Sequence, residues 1–187
     1  MAYIDETLVF ESDKVYYTDD LGTEFQVMMT WEDSIMKASA DYVCEGGGDI
    51  LEIGFGMGIS ADYIQANSIS SHTIVENHPQ MILKAKAWAV GKSNVTIVEG
   101  DWYNVKDSLS TYDGIFYDTW ADDNTNNFVS TLSSLTKLGT RVTWWNNFTD
   151  NDDVFFINGT TYQAINVTPD NNIYFNSNTY YLPKKQF

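Results

Sequence analysis

Cysteine, histidine, arginine and proline are all scarce in this 187-residue chain. A single cysteine, Cys44, permits no intrachain disulfide, and with only His72 and His78 beside it no cysteine- or histidine-rich metal site is expected. The chain therefore reads as intracellular, with a cytoplasmic setting and no metal. Basic residues are outnumbered: 10 Lys plus Arg face 26 Asp plus Glu, a net charge of -16, and Arg141 is the one arginine. A field of that sign repels phosphate backbones and anionic lipid surfaces. The bidentate guanidinium contacts that read guanine or clamp phosphate are nearly missing. Nucleic acid and membrane are thus excluded as main partners, and neutral or cationic small molecules are favoured. No apolar run approaches the roughly 20 residues of a membrane span, and residues 1–10 carry Asp5 and Glu6 where a secretory leader needs basic residues and then an apolar stretch. The Asn-x-Thr triplets at Asn94, Asn147, Asn158 and Asn166 then read as chance in an Asn-rich chain.

What is present is enough apolar surface to fold, with 43% hydrophobic and 15% aromatic residues arguing against disorder. The length suits one domain of roughly 100 to 200 residues, and no repeat or linker divides it, so residues 1–187 are read as a single domain. Residues 1–24 read as a short strand-like appendage, with runs 7–12 and 14–18 paired around Ser12-Asp13. Met28, Trp31, Ile35, Ala38 and Tyr42 carry helical spacing, which predicts a helix over 25–44 leading into Gly46-Gly47-Gly48. Beyond those glycines strand-like and helical runs alternate: 49–53, 59–66, 73–76, 79–90, 95–99, 103–109, 112–118, 126–138 and 140–145. That rhythm predicts an α/β fold, a doubly wound and mostly parallel sheet with helices on both faces. Pro79 sits where a helix should start, and Gly91 and Gly139 where helices should stop. From residue 150 onward the runs 154–157, 161–167 and 173–182 are aromatic and β-branched, separated by turn residues, so the sheet is expected to close with an antiparallel C-terminal hairpin.

The strongest local signal is Ile50-Leu51-Glu52-Ile53-Gly54-Phe55-Gly56-Met57-Gly58, an apolar strand emptying into a turn with alternate glycines. Such a turn lets backbone approach a ligand and leaves helix N-terminal amides exposed. The dinucleotide fingerprint would need a third glycine at Ile59, so the NAD pattern fails and adenosine without a pyrophosphate fits better. Acids then end three successive strands. Glu76 lies 22 positions after Gly54, near the roughly 20-residue offset at which an acid reaches ribose hydroxyls. Asp101 could accept from an adenine amine with Trp102 stacking on the ring, and Asp118 ends the next strand. Their carboxyl-end positions converge on the crevice where such sheets bind ligands. Separately, Met28, Glu32 and Met36 are spaced four apart and would form one helical row, an acid inside an apolar stripe. A buried carboxylate needs a cation or strong donors to stay charged.

This constellation resembles class I S-adenosyl-L-methionine-dependent methyltransferases, which implies a Rossmann-like seven-stranded sheet. The segments 27–36, 51–57 (with Phe-Gly-Met after the first glycine), 114–119 (ending Tyr-Asp-Thr) and Tyr180-Tyr181-Leu182-Pro183 resemble guanidinoacetate N-methyltransferase and related arginine N-methyltransferases. Carried onto this chain, the resemblance implies that Met28 and Met36 flank the cofactor. It implies that Gly54, Phe55, Gly56, Met57, Gly58 and Ile59 wrap the cofactor's amino-acid end, that Glu76, Asn77 and His78 hold its ribose, and that Asp101 and Trp102 hold its adenine. Glu32 would face a guanidino group, Asp118 would touch both cofactor and acceptor, and Phe148 and Thr149 would line the acceptor pocket.

The expected function is N-methylation of a guanidino or related cationic small molecule, with Asp118 as general base and Glu32 orienting the guanidinium and balancing its charge. A protein arginine side chain is the nearest alternative acceptor, and a non-catalytic S-adenosylmethionine-binding protein is the alternative of another class. Amino-group DNA methylases resemble one another in a Pro-Pro-aromatic run, which is Thr119-Trp120-Ala121 here. The family's Asp-Thr-Tyr-Pro is Asp118-Thr119-Trp120-Ala121, and no counterpart of the family's aromatic lid precedes the first long helix. These departures bear on the acceptor, because lids and closing loops set it.

Overall fold

The computed structural model describes residues 3–148 and 155–187. Strands β1 (Val9–Phe10), β2 (Lys14–Thr18) and β3 (Glu24–Met29) form a small antiparallel meander. After a 3-10 turn at Thr30–Glu32 come α1 (Asp33–Cys44), β4 (Asp49–Ile53), α2 (Ile59–Ala66), β5 (Ser71–Glu76), α3 (Pro79–Ala89) and β6 (Val95–Glu99). Then follow α4 (Trp102–Val105), β7 (Tyr112–Tyr117), α5 (Phe128–Leu135), β8 (Thr136–Trp144), β9 (Thr161–Asn166) and β10 (Thr179–Gln186). The second sheet has seven strands in the order β6-β5-β4-β7-β8-β10-β9. Its first five strands are parallel, while β10 runs antiparallel to both β8 and β9. The expected doubly wound sheet with an antiparallel closing hairpin is therefore present, and no helix among the described residues is long and apolar enough to cross a membrane.

Both faces of the sheet are covered, which is why β4 and β7 are nearly continuous in apolar residues. Ile50 and Phe116 pack under α1 with Met36, Ala40 and Val43. Leu51, Ile53, Ile115 and Trp144 pack on the other face against Phe128, Leu132 and Leu135 of α5. Each such side chain, fully buried, contributes about 1.5 to 3 kcal/mol.

The helix expected over 25–44 is shorter than its spacing suggested. Residues 24–29 pair antiparallel with β2, and the helix starts only at Asp33. The run Glu24-Phe25-Gln26-Val27-Met28-Met29 alternates well enough to serve as a strand, and cross-strand pairing decided the outcome. Met28, Glu32 and Met36 therefore lie in a strand, a 3-10 turn and a helix, not in one helical row. The appendage likewise runs past residue 24 to Met29. Smaller differences follow the same logic. Gly139, expected to stop a helix, lies inside β8 at a φ of 94°. Ile173 to Phe175 belong to the connection before β10, and Phe155 to Ile157 lie in no strand, while Val154 lies outside the described residues.

Candidate functional site

The chain order places β4, β5 and β6 on one side of the sheet's switch point and β7 and β8 on the other, so the carboxyl ends of β4 and β7 open a crevice. A cavity of about 410 Å³ fills it. Its floor is the turn after β4. Gly54 has a φ of 93°, and a side chain there would strike the carbonyl oxygen of Asp118. Gly56, at a φ of 52°, lies against the Met28 sulfur, which also accepts from the amide of Met57 at 3.1 Å. Two glycines are needed because β3, the turn and the end of β7 meet in van der Waals contact.

Glu76 ends β5 on the cavity wall, and its carboxylate is fixed from three directions. Oε2 accepts from the amide of Phe55 at 2.9 Å, and Oε1 accepts from the amides of Asn77 and His78 at 2.8 Å each. Burial raises its pKa and the amides oppose that rise. The carboxylate is preorganised to accept from hydroxyls beside it. Asn77 shares the wall. His78 does not: its Nδ1 accepts from the Gln80 amide to cap α3, and its Nε2 lies 3.1 Å from the Glu6 carbonyl. Burial lowers its pKa.

At the β6 end the wall is made by Gly100, Trp102 and Asp122. Asp101 is off the wall. Its Oδ1 caps α4 by accepting from the amides of Tyr103 and Asn104 at 2.9 and 3.1 Å, and its Oδ2 accepts from Asn124 Nδ2 at 3.0 Å. Trp102 is buried, and its indole N–H donates to Asp122 at 2.5 Å; the Tyr117 hydroxyl donates to the same carboxylate.

The opposite end of the cavity holds Glu32 and Asp118. Glu32 Oε1 accepts from the Met29 amide and from the Tyr174 hydroxyl, both at 2.7 Å. Burial, and then the charge of Asp118, push its carboxyl up to about 8. Burial, and then the charge of Glu52, push Asp118 up to about 7. Among the described residues no donor hydrogen-bonds the Asp118 carboxylate. Glu52 lies beneath the floor, where it accepts from Ser60 Oγ and sits 2.9 Å from His72 Nε2. The described wall carries Glu32, Glu76, Asp118 and Asp122 and no Lys, Arg or His. Burial and neighbouring carboxylates disfavour the charged form of both acids, so a cation is the ligand that relieves both.

Of the other expected residues, Met28, Gly54, Phe55 and Gly56 line the cavity. Met36 packs in the core cluster under α1, Met57 and Ile59 lie against it, and Gly58 sits at the start of α2. Phe148 is 38% exposed and off the wall, with Asn147 in its place. Thr149 lies outside the described residues. Tyr3, Ser60, Trp120, Asp122, Trp145 and Tyr174 line the cavity without having been expected there. Trp120 had a signal, since it replaces the family's tyrosine immediately after Asp118-Thr119. Tyr174 had none, being 142 residues from the Glu32 it touches. The cradle thus has glycine-opened backbone, a fixed acid and a buried indole along one run, which fits the adenosine and amino-acid parts of S-adenosylmethionine.

The chain is 38% identical over 127 residues to a protein arginine N-methyltransferase 2 from Aspergillus oryzae, covering 64% of this chain and 30% of that protein. It is 40% identical over 124 residues to the protein of that name from Candida glabrata, covering 58% and 30%. The chain therefore spans about 30% of the length of these curated relatives. Among solved structures, a spermidine synthase from Thermotoga maritima superposes with a TM-score of 0.63 at 14% identity, covering 96% of this chain and 72% of that one. A precorrin-6y C5,15-methyltransferase from Geobacter metallireducens superposes at 0.58 with 13% identity, covering 90% and 92%. At such identities these two speak for the fold alone. A family model described as guanidinoacetate N-methyltransferase matches residues 17–147, and the chain belongs to that family of S-adenosylmethionine-dependent methyltransferases.

Proposed function

We propose that this chain N-methylates a guanidino group carried by a cationic small molecule. The observation that carries the reading is the pair Glu32 and Asp118, both pushed up toward neutrality at one end of a cavity whose described wall has no basic side chain. An arginine side chain of a protein is the second reading, favoured by the name of the relatives. The net charge of -16 suits either acceptor and disfavours nucleic acid. A cytoplasmic setting belongs to the same proposal, in keeping with one buried, unpaired cysteine.

Gly54, Gly56, Glu76, Asn77 and Trp102 would hold S-adenosylmethionine, which supplies a methyl group on a positively charged sulfur. A guanidinium is protonated at neutral pH, with a pKa above about 12, so its nitrogen must lose a proton as the new bond forms. Asp118 would take that proton, as the carboxylate with no competing donor. Glu32 would accept from a second guanidinium N–H through Oε2 and hold the plane in line for attack. The bound cofactor would supply the methyl group and, through its sulfur, the leaving group, while Asp118 would keep the proton lost by the guanidinium nitrogen. Positioning and the exclusion of water would supply most of the acceleration. The test is methyl transfer from labelled cofactor to guanidinoacetate, free arginine, an arginine-rich protein and amines without a guanidino group. Transfer to guanidino compounds is expected. Transfer only to the other amines would refute the acceptor class, and cofactor binding without any transfer would favour a non-catalytic role.

A further inference from the structure

The acceptor end of the cavity is closed by a part of the chain far from the catalytic motifs. The connection 167–178, between β9 and β10, is pinned at its base by the Val167 amide on the Asn178 carbonyl at 3.0 Å. Inside it Asn172 builds a rigid turn. Its Oδ1 accepts from the amides of Tyr174 and Phe175 at 2.9 and 2.7 Å, and its Nδ2 donates to the carbonyls of Asp170 and Phe175. The far side is tied to β3, because the Ile173 amide donates to Gln26 Oε1 at 3.3 Å. Phe175 is buried and stacked on Trp31, with ring centroids 5.8 Å apart. The connection therefore spans from the closing hairpin to the N-terminal meander.

Ile173 and Tyr174 are the residues through which this scaffold lines the cavity, and Tyr174 is the one that reaches Glu32. Its ring stacks on Trp31 at 5.9 Å and meets the edges of Trp120 and Trp145 at 6.0 and 5.9 Å. Its hydroxyl donates to Glu32 Oε1, the same oxygen that already accepts from the Met29 amide. Two short donors occupy Oε1, so Oε2 is the Glu32 oxygen left for an acceptor. Burial and the neighbouring Glu32 carboxylate hold the Tyr174 phenol far above its ordinary pKa, so it stays a donor at every pH of interest.

We propose that Tyr174 is a specificity-determining and positioning residue of the acceptor site: its hydroxyl aims Glu32 through one oxygen, and its ring, with Trp120, limits the acceptor to a flat guanidinium with no nitrogen carrying two substituents. This rests on the guanidino reading above. A group with a branched or doubly methylated nitrogen would have to displace an aromatic wall held by stacking on Trp31 and by edge contacts with Trp120 and Trp145. A flat cation lies between the two carboxylates with its edges hydrogen-bonded, and the aromatic walls keep water out.

Two variants test this. Tyr174→Phe keeps the ring and removes the hydroxyl, while Tyr174→Ala opens the wall. Affinity for S-adenosylhomocysteine, measured by calorimetry, should stay within about twofold in both, since neither variant touches the residues assigned to the cofactor. Tyr174→Phe should raise KM for guanidinoacetate about tenfold, equivalent to about 1.4 kcal/mol, with kcat nearly unchanged. It should also move the Glu32 carboxyl titration upward when followed by carbon-13 NMR, because a donor to the charged form is gone. Tyr174→Ala should admit N,N-dimethylguanidine as an acceptor where the wild type rejects it. Unchanged KM and unchanged Glu32 titration in Tyr174→Phe, or parallel loss of cofactor affinity, would overturn the proposal. Failure of the underlying reading would show in the wild type, as no transfer to any guanidino compound, and would remove the selectivity with it. Wild-type transfer with identical kinetics in both variants would refute the role of Tyr174 alone.

Discussion

Glu32→Gln should make the ligand-free protein more stable while weakening its acceptor site, and the size of the gain can be worked from the geometry. Folding raises the Glu32 carboxyl from an ordinary 4.5 to about 8. At pH 7 the unfolded chain therefore carries a charge that the folded protein must neutralise by taking up a proton. The gap of about 2.5 units between the ordinary value and neutral pH corresponds to about 3.4 kcal/mol. Glutamine keeps the local hydrogen bonds, because the Met29 amide and the Tyr174 hydroxyl both meet a single oxygen that a carboxamide also supplies. Coupling to Asp118 and water in the cavity reduce the gain, leaving about 1 to 2 kcal/mol. For a chain of this size that is a rise in Tm of about 3 to 6 °C. The sign follows from the raised pKa: the wild type has its full stability below the ordinary value of 4.5 and loses it as pH rises through about 8. The advantage of the variant should thus be small near pH 5 and largest near pH 8. Calorimetric melting of the ligand-free proteins across that range is the measurement. A Glu32→Gln protein that melts at or below wild type at pH 8, or whose advantage does not change with pH, would refute the reasoning.

Three other outcomes are expected. Asp118→Asn keeps the shape and loses the proton acceptor, so kcat should fall by about two orders of magnitude or more; cofactor affinity measured in the same variant must be intact for the loss to be catalytic. Cation binding favours both carboxylates in their charged forms, so KM for a guanidino acceptor should drop by about tenfold from pH 6 to pH 8, with proton release seen as a buffer-dependent heat of binding. Glu76→Ala removes the acid fixed by the amides of Phe55, Asn77 and His78, and should weaken S-adenosylhomocysteine binding by about 1.5 to 3 kcal/mol in a calorimetric titration. Undiminished affinity would take Glu76 out of the cofactor site.

Features written in local periodicity are legible in the amino-acid sequence by itself. The alternation of apolar runs with helical ones, punctuated by Pro79 and Gly91, determined a parallel sheet covered on both faces, because strands buried on both sides must be continuously apolar. The glycine turn at 54–58 and the acids Glu76 and Asp118 at strand ends marked the crevice, since in such sheets the carboxyl ends of strands converge there. Three matters were decided only by tertiary contacts. Residues 24–29 have spacing compatible with a helix, yet pairing with β2 makes them a strand and separates Met28 from the helix that carries Met36. Asp101 follows the end of its strand, yet its carboxylate accepts from the amides that start α4 and from Asn124, and Asp122 lines the cavity wall. Tyr174 reaches Glu32 across 142 residues because the closing hairpin folds back over the crevice. A hydrogen bond of that sequence separation leaves no trace in local pattern, since it depends on where the chain returns and not on what precedes or follows the residue.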